Sequence, residues 1–338
     1  MSGGADPAAG HALRVVVTGG AGFIGSHLCR ALLERGGTVW AVDSFDPFYD
    51  PAIKREGIRP LLDDPRFRLV EADICDGAGV EAGLAQAGAR AGGIDAIVHL
   101  AARAGVRPSI EEPVLYTRVN VEGTVAMLEL ARRLRVPAFV FGSSSSVYGN
   151  SAAVPFSEDD PVGRPISPYA ATKRAGELLA HTYGHLYGLS VVCLRFFTVY
   201  GPRQRPDLAI HKFARLMSAG QEIPFFGDGS TRRDYTYVDD IVQGVTRAVE
   251  YALAHPGCYQ VLNLGESDTV TLSRLVELLA RALGVEPRLR RLPPQPGDVE
   301  RTCADVSRAR DLLGYAPTTR IEQGIPLFVE WFRSTRAG

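Results

Sequence analysis

Short apolar runs, each closed by glycine or a polar break, recur along the first two-thirds of the chain. Leu13 to Thr18 is apolar and rich in β-branched residues, too short for a helix, and followed at once by glycines; this predicts a buried strand. The next segment, beginning Gly19-Gly20-Ala21-Gly22, opens a helix that runs through Ser26 to Arg35 and stops at Gly36-Gly37. Thr38 to Val42 reads as a second apolar strand closing on Asp43. Strand patterns return at Phe67 to Glu71, Ala96 to Leu100, Ala138 to Phe141 and Val191 to Phe196, alternating with helical stretches such as Asn120 to Arg135 and Ala170 to Tyr187. Alternation of this kind predicts an α/β fold with a doubly wound parallel sheet and crossover helices.

Beyond Phe197 the texture changes. Pro- and Gly-rich stretches appear at Gly201 to Pro206, Gly227 to Ser230 and Leu292 to Gly297. They suit a smaller α/β C-terminal substrate-binding domain closing over the carboxyl edge of the sheet, where open α/β sheets bind ligands. A helix over Asp239 to Leu253 and a strand over Val261 to Leu264 read as a return to the first domain. The expected division is therefore discontinuous: residues 13–197 with 239–264 in one domain, 198–238 and 265–338 in the other.

Composition removes several classes of function. With 338 residues, 46% hydrophobic and 22% charged, the chain matches an ordinary globular enzyme. A formal net charge of −1 gives no reason to expect nucleic acid as a partner. No apolar stretch approaches the roughly 20 residues of a membrane span, and Met1 to Ala12 lacks the charged start and apolar run of a signal peptide. A cytoplasmic location is expected. Cys29, Cys75, Cys193, Cys258 and Cys303 are scattered, with no C-x-x-C pair, and read as reduced. His181 and His185 have helical i, i+4 spacing, but no Glu follows His181, so no metal site is expected.

The chemistry concentrates in two places. Gly19, Gly22 and Gly25, with Phe23 and Ile24 between them, lie between a strand and a helix. Bare backbone there can approach a pyrophosphate at the helix N-terminus. Asp43, at the end of the second strand, is placed to accept from both adenosine ribose hydroxyls and to repel a 2′-phosphate, so NAD is expected over NADP. The second place is Tyr169 and Lys173, one helical turn apart, in a chain with three lysines among 37 basic residues. An ammonium beside a phenol can lower its pKa, and a phenolate can take the proton of a sugar hydroxyl while a hydride leaves the same carbon. His99 stands at a strand end, where a histidine is more often structural than a base.

These segments resemble the extended short-chain dehydrogenase/reductases with a Rossmann domain, specifically the nucleotide-sugar epimerases. The resemblance rests on Thr18 to Gly25, Asp73-Ile74, His99 to Ala102, Asn120, Ser143 to Gly149, Tyr169 to Lys173, Arg195 to Pro202 and Arg233 to Asp240. A weaker match lies at Pro296-Gly297-Asp298. It implies that Asp73 and Ile74 contact the adenine and that Ala101 and Ala102 line the dinucleotide groove. Ser144 would join Tyr169 at the reacting C4 hydroxyl, and Lys173 would also hold the nicotinamide ribose. Arg233 and Gln295 would grip the UDP phosphates, and Asp298 would meet the nucleotide. A homodimer would form through helices near Pro113 to Arg135 and Pro168 to Tyr187.

The serine run narrows the resemblance. Related 4,6-dehydratases follow the catalytic Ser/Thr with Asp-Glu, and nucleotide-sugar decarboxylases have Glu at the second position, whereas this chain has Ser145 and Ser146. Together with Phe45 to Lys54, Gly105-Val106-Arg107, Thr198 in the Arg195 to Pro202 segment and Arg205, this is similar to the UDP-glucuronate 4-epimerases. Ser145, Ser146 and Thr198 would then bind the C6 carboxylate and Arg205 either that end or the diphosphate, with Arg107 and Lys212 as further substrate-side cations. UDP-glucose/UDP-galactose 4-epimerase and UDP-glucuronate decarboxylase are the competing readings.

Overall fold

The computed structural model describes residues 12–151, 153–293 and 301–335. In chain order the first half contains β1 (Arg14–Thr18), α1 (Phe23–Glu34), β2 (Thr38–Asp43), α2 (Pro51–Ile58), β3 (Phe67–Glu71), α3 (Gly77–Gln86), β4 (Ala96–His99), α4 (Val106–Glu111), α5 (Pro113–Thr117), α6 (Gly123–Arg133) and β5 (Ala138–Ser144). There follow α7 (Pro168–Tyr187), β6 (Ser190–Phe196), β7 (Thr198–Tyr200), α8 (Ala209–Ser218), β8 (Glu222–Phe226), β9 (Arg232–Tyr237), α9 (Val238–Ala254) and β10 (Tyr259–Leu264). The last part holds β11 (Thr269–Thr271), α10 (Leu272–Leu283), β12 (Arg288–Leu292), α11 (Ser307–Leu313) and α12 (Ile321–Ser334).

Seven of these strands form one sheet in the order β10-β6-β5-β4-β1-β2-β3, every pairing parallel. Alternate residues of each central strand feed opposite faces. Val15, Val17, Val39 and Val98 join the core on one side; Val16, Val42, Ile97 and Phe139 join the core on the other. Both faces are covered, which is why these strands read as continuous apolar runs rather than alternating ones. The chain order reverses between β1 and β4, so the loops after these two strands diverge and leave a crevice at the carboxyl edge. Outside this sheet, β11-β9-β7 form a three-stranded sheet and β12-β8 a two-stranded one.

Three local departures from the sequence expectation have identifiable causes. β5 runs on past Phe141 to Ser144, because Gly142, Ser143 and Ser144 pair with Leu194, Arg195 and Phe196 of β6. The polar serines are carried by backbone pairing, so hydropathy alone did not mark them. The helix expected from Asn120 is preceded by α5 and begins as a wide π-helical turn, Arg118–Glu122. Asn120 turns inward there and bonds both the N–H and the C=O of Arg103, at 2.8 and 2.9 Å. Finally, α7 starts at Pro168: Ser167 caps Ala170 N–H, Pro168 has the fixed φ of a first helical residue, and Gly188 closes the helix in the left-handed conformation at φ 70°.

The inner face of α7 carries Ala170, Lys173, Gly176, Glu177 and Ala180. Gly176 lies directly against the Phe141 ring, where a Cβ would collide with it. This close approach brings Lys173 and Tyr169 to the tip of β5. Replacing Gly176 with Ala should cost about 1–3 kcal/mol from overpacking, partly offset by about 1 kcal/mol of helix propensity. Urea denaturation should therefore show a lowered midpoint with an unchanged slope.

Candidate active site

The crevice above the β1/β4 divergence is a cavity of about 510 Å³. Its floor begins at the turn after β1. Gly19 has φ +69°, and a Cβ there would come within 2.9 Å of Ala101 N, so only glycine fits. Gly25 packs against the Gly19 carbonyl with no room for a side chain. The N-terminus of α1 is thus left bare against the cavity, as an anionic phosphate requires. At the end of β2 the Asp43 carboxylate accepts from Ala21 N–H, Phe45 N–H and Lys54 Nζ at 3.2, 2.9 and 3.3 Å. Asp73, Ile74, Ala101 and Ala102 line the same wall as Gly22, Phe23 and Ile24. A glycine cradle at a helix N-terminus with a fixed carboxylate at the second strand end fits a dinucleotide such as NAD.

Across the cavity, Tyr169 and Lys173 face the serine turn that follows β5. Ser144 Oγ accepts from Ser146 Oγ at 2.9 Å and from Ser146 N–H at 3.2 Å. Burial raises the Tyr169 phenol above its ordinary value; a hydrogen bond with Ser144 and the charge of Arg205 oppose that rise. The sequence expectation had given this lowering influence to Lys173. Instead the Lys173 ammonium lies 6.0 Å from the Tyr169 ring centre and donates to Gly142 C=O at 2.7 Å. Burial pulls the ammonium down to about 8, with Glu177 holding it up.

His99 is structural in its geometry. Thr124 Oγ donates to Asn120 C=O at 2.6 Å, so it accepts from His99 Nε2 at 3.1 Å. His99 Nδ1 must then accept from Thr18 Oγ at 2.7 Å, and Thr18 Oγ accepts from Ala101 N–H at 3.2 Å. Burial and then the Lys173 charge push the imidazole down to about 3, so it is neutral and both nitrogens are engaged. The chain continues from Asn120 Nδ2 to Thr172 Oγ at 3.0 Å, whose hydroxyl donates to Tyr169 C=O at 2.8 Å. One buried polar line thus ties the glycine turn to the helix bearing the phenol.

Thr198, Ser145, Ser146 and Arg205 line the same cavity. Arg205 is gripped by Asp207 through two bonds of 2.9 and 2.7 Å. Among the side chains lining this cavity that sequence reasoning did not single out as site residues are Phe48, Arg103 and Lys54. The Arg103 and Arg205 guanidiniums each lie 5.3 Å from the Phe48 ring centre, and Arg103 pairs with Asp46 at 3.2 Å. Lys54 carried a usable signal, since it is one of only three lysines. Other predicted positions sit elsewhere. Arg107 is exposed on α4, Lys212 is exposed on α8, and Arg233 is half-buried on β9, donating to Arg232 C=O. Gln295 and Asp298 lie outside the described residues. Among the described residues no three His, Cys, Asp or Glu side chains gather as metal ligands, and no helix is long and apolar enough to cross a membrane.

A seven-stranded parallel sheet with a glycine turn and this cavity at its switch point is the architecture of a Rossmann-type dinucleotide-binding fold. The model of the NAD dependent epimerase/dehydratase family matches residues 15–265, and the chain belongs to that family. It is 43% identical to UDP-glucuronate 4-epimerase 4 of Arabidopsis thaliana over 340 residues, covering 96% of this chain and 76% of that protein. The crystal structure of UDP-glucuronic acid 4-epimerase from Bacillus cereus, in complex with UDP-glucuronic acid and NAD, superposes with a TM-score of 0.87 at 34% identity, over 96% of this chain and all of that one. UDP-glucose 4-epimerase of Thermotoga maritima, with UDP-glucose, gives a TM-score of 0.84 at 32% identity over 96% and 100%.

The depressed Lys173 ammonium has a stability signature. Its folded pKa, about 8, lies below the ordinary lysine value, so the unfolded chain binds more protons between the two. The penalty is complete below pH 8 and is relieved as pH rises toward the ordinary value. Relative to Lys173→Met, the native chain should therefore gain stability over that range, by up to about 3 kcal/mol. Urea denaturation of both proteins at stepped pH measures the difference directly, and any constant offset from the lost Gly142 bond leaves the slope untouched.

Proposed function

We propose that this protein is a UDP-glucuronate 4-epimerase, interconverting UDP-glucuronate and UDP-galacturonate with NAD held in the cavity. The observation that carries the reading is the hydroxyl set: Ser144, Ser145, Ser146 and Thr198 share one cavity with Tyr169 and Lys173, and the serine turn has no carboxyl group. A dehydratase or decarboxylase needs acid/base groups where this chain has only hydroxyls.

NAD, when bound, supplies an acceptor for the C4 hydride and returns it. Gly19, Gly22, Phe23, Ile24 and Gly25 hold its pyrophosphate, Asp43 its adenosine ribose, Asp73 and Ile74 the adenine, and Ala101 and Ala102 the groove. Tyr169 removes the O4 proton, Ser144 holds that oxygen, and Lys173 keeps a positive charge beside the phenol and the nicotinamide ribose. Segments 198–238 and 265–338 form the nucleotide-sugar domain, with Arg233, Gln295 and Asp298 assigned to the UDP portion by resemblance and Arg107 and Lys212 left as substrate-side cations. Oxidation at C4 makes a β-keto acid, which loses CO₂ when its C5–C6 bond aligns with the ketone. Ser145, Ser146 and Thr198 fix the carboxylate out of that alignment, a positional control. Arg205 and the buried Arg103 Nε, which has no hydrogen-bond partner, supply donors for the anionic groups.

The same reading places the enzyme in the cytoplasm as a homodimer built on α5–α6 and α7. Val114 is 81% exposed and Leu178 53%, large apolar side chains on adjacent helices. Introducing Val114→Asp with Leu178→Asp should convert a dimer to a monomer by light scattering; a monomeric wild type overturns the assignment.

The function is tested by incubating the protein with UDP-glucuronate and following products by NMR. UDP-galacturonate should accumulate without UDP-pentose, and faster than UDP-galactose forms from UDP-glucose. Tyr169→Phe should lose a factor of about 10²–10⁴. Thr198→Ala should release CO₂ and UDP-pentose; turnover with no pentose in that variant would remove the carboxylate role of Thr198.

A further inference from the structure

Behind the catalytic helix lies a buried ion pair that the reaction does not itself use. Glu177 follows Lys173 by four residues on α7 and is fully buried; Arg195 of β6 is 2% exposed. Arg195 Nε and Nη2 donate to the two Glu177 oxygens at 2.9 and 3.0 Å. Ser143 Oγ donates to Oε1 at 2.6 Å, and Arg174 Nη1 to Oε2 at 2.8 Å. The third nitrogen of Arg195 donates to Tyr148 Oη at 2.9 Å, and Tyr148 Oη donates to Asn263 Oδ1 at 2.7 Å. Ser143 and Tyr148 are the residues on either side of the serine turn 144–147.

Isolating a pair of this kind inside a protein costs roughly as much in desolvation as the attraction returns. Stability alone is therefore a weak reason for it. Its position supplies a better one. We propose that Glu177 and Arg195 form a positioning pair, in which the Glu177 carboxylate keeps the Lys173 ammonium protonated inside the protein while the pair pins both ends of the turn that carries Ser144, Glu177 at Ser143 and Arg195 at Tyr148. This rests on the roles proposed above for Lys173 and Ser144.

The charges facing Lys173 make its sign definite. Against the ammonium itself lie Tyr169 and Glu177 of α7, neutral His99 of β4, and the Gly142 carbonyl and Phe141 ring of β5. Against the Glu177 end of the row lie Arg174 of α7, Arg195 and Cys193 of β6 and Tyr259 of β10, with Tyr148 of the serine turn on Arg195. Burial lowers the ammonium and Glu177 is what raises it. Burial would raise the Glu177 carboxyl too, but the Arg195, Ser143 and Arg174 bonds outweigh it and hold the group below its ordinary value, so the carboxylate is present. Glu177 is thus the anion that supports the ammonium, and Arg195 is what keeps Glu177 an anion.

The chain's three lysines make the test direct. Protein labelled with ¹³C at lysine Cε shows three resonances, which Lys54→Arg and Lys212→Arg assign, and pH titration reads Lys173 with no substrate present. Glu177→Gln should lower the Lys173 midpoint by about one pH unit or more, and Arg174→Gln, which strips a competing cation from the carboxylate, should raise it by about half a unit. A midpoint unmoved in Glu177→Gln, or shifts of the same sign in both variants, overturns the proposal. Should Glu177→Gln fail to fold, Arg174→Gln decides alone: it lies at the edge of the pair, 30% exposed, and its midpoint either rises or the proposal fails. Lysine titrations that behave as stated in a protein inert toward UDP-glucuronate would overturn the substrate assignment only.

Discussion

An ammonium kept charged inside the protein is the constraint around which this site is arranged. Lys173 is 5% exposed, its ammonium donates a hydrogen bond to the Gly142 carbonyl, and burial drags its pKa to about 8. A lysine left to its own burial would neutralise, since shedding the proton is cheaper than desolvating the charge. Everything packed against it bears on that balance. The Gly142 carbonyl needs β5 to extend beyond its apolar stretch, which needs β6 as a partner; Glu177 needs Arg195 to stay ionised. Gly176 must lack a side chain for α7 to sit close enough to β5 for any of this to hold.

The parts of the fold that rest on local pattern were legible in the sequence. Val15 to Thr18 and Thr38 to Val42 are apolar because the strands are buried on both faces, and the glycines between them are needed by a turn with no room for Cβ atoms. The Tyr169/Lys173 spacing announced a shared face because helical geometry is local. The expected strands at Phe67 to Glu71 and Val191 to Phe196 recur with nearly the same bounds. Hydropathy failed where backbone pairing or a side-chain bond decides the structure. Ser143 and Ser144 lie in a strand that their polarity argues against, and the wide turn at Arg118–Glu122 exists because Asn120 bonds Arg103 17 residues away in the chain.

Long-range partners were the part that single residues could not declare. Tyr169-x-x-x-Lys173-x-x-x-Glu177 continues one inward row, so Glu177 was visible as a position; nothing local showed that Arg195 and Ser143 would close around it. Phe48 reaches the cavity only because the loop after β2 folds back to meet Arg103 and Arg205. The scattered cations show the converse. Arg107, Lys212 and Arg233 carry the right charge for an anionic substrate, yet charge says nothing about placement: Arg107 and Lys212 lie on exposed faces of α4 and α8 and Arg233 on half-buried β9, outside the lining of this cavity.

Charge accounting inside the cavity bears on how an acidic sugar would be recognised. Lys54 is matched with Asp43, Arg103 with Asp46 and Arg205 with Asp207, so the wall is close to neutral despite its cations. A neutral wall exerts little long-range pull on a trianionic nucleotide uronate, and the chain's net charge of −1 adds none. Discrimination must then be short-ranged and directional. A carboxylate is planar and offers acceptor sites on two oxygens, whereas a hydroxymethyl offers one donor and rotates freely. The hydroxyls of Ser145 and Thr198, with that of Ser146 once it turns from Ser144, can converge on both oxygens of the planar group and fix its dihedral angle; a rotating hydroxymethyl could engage them but would not be oriented by them. A cation in their place would bind the carboxylate more strongly and orient it less, because an ion pair tolerates many geometries. For a substrate whose oxidised form is prone to lose CO₂ in one orientation, control of angle matters more than strength of binding, and neutral hydroxyls are the donors that supply it.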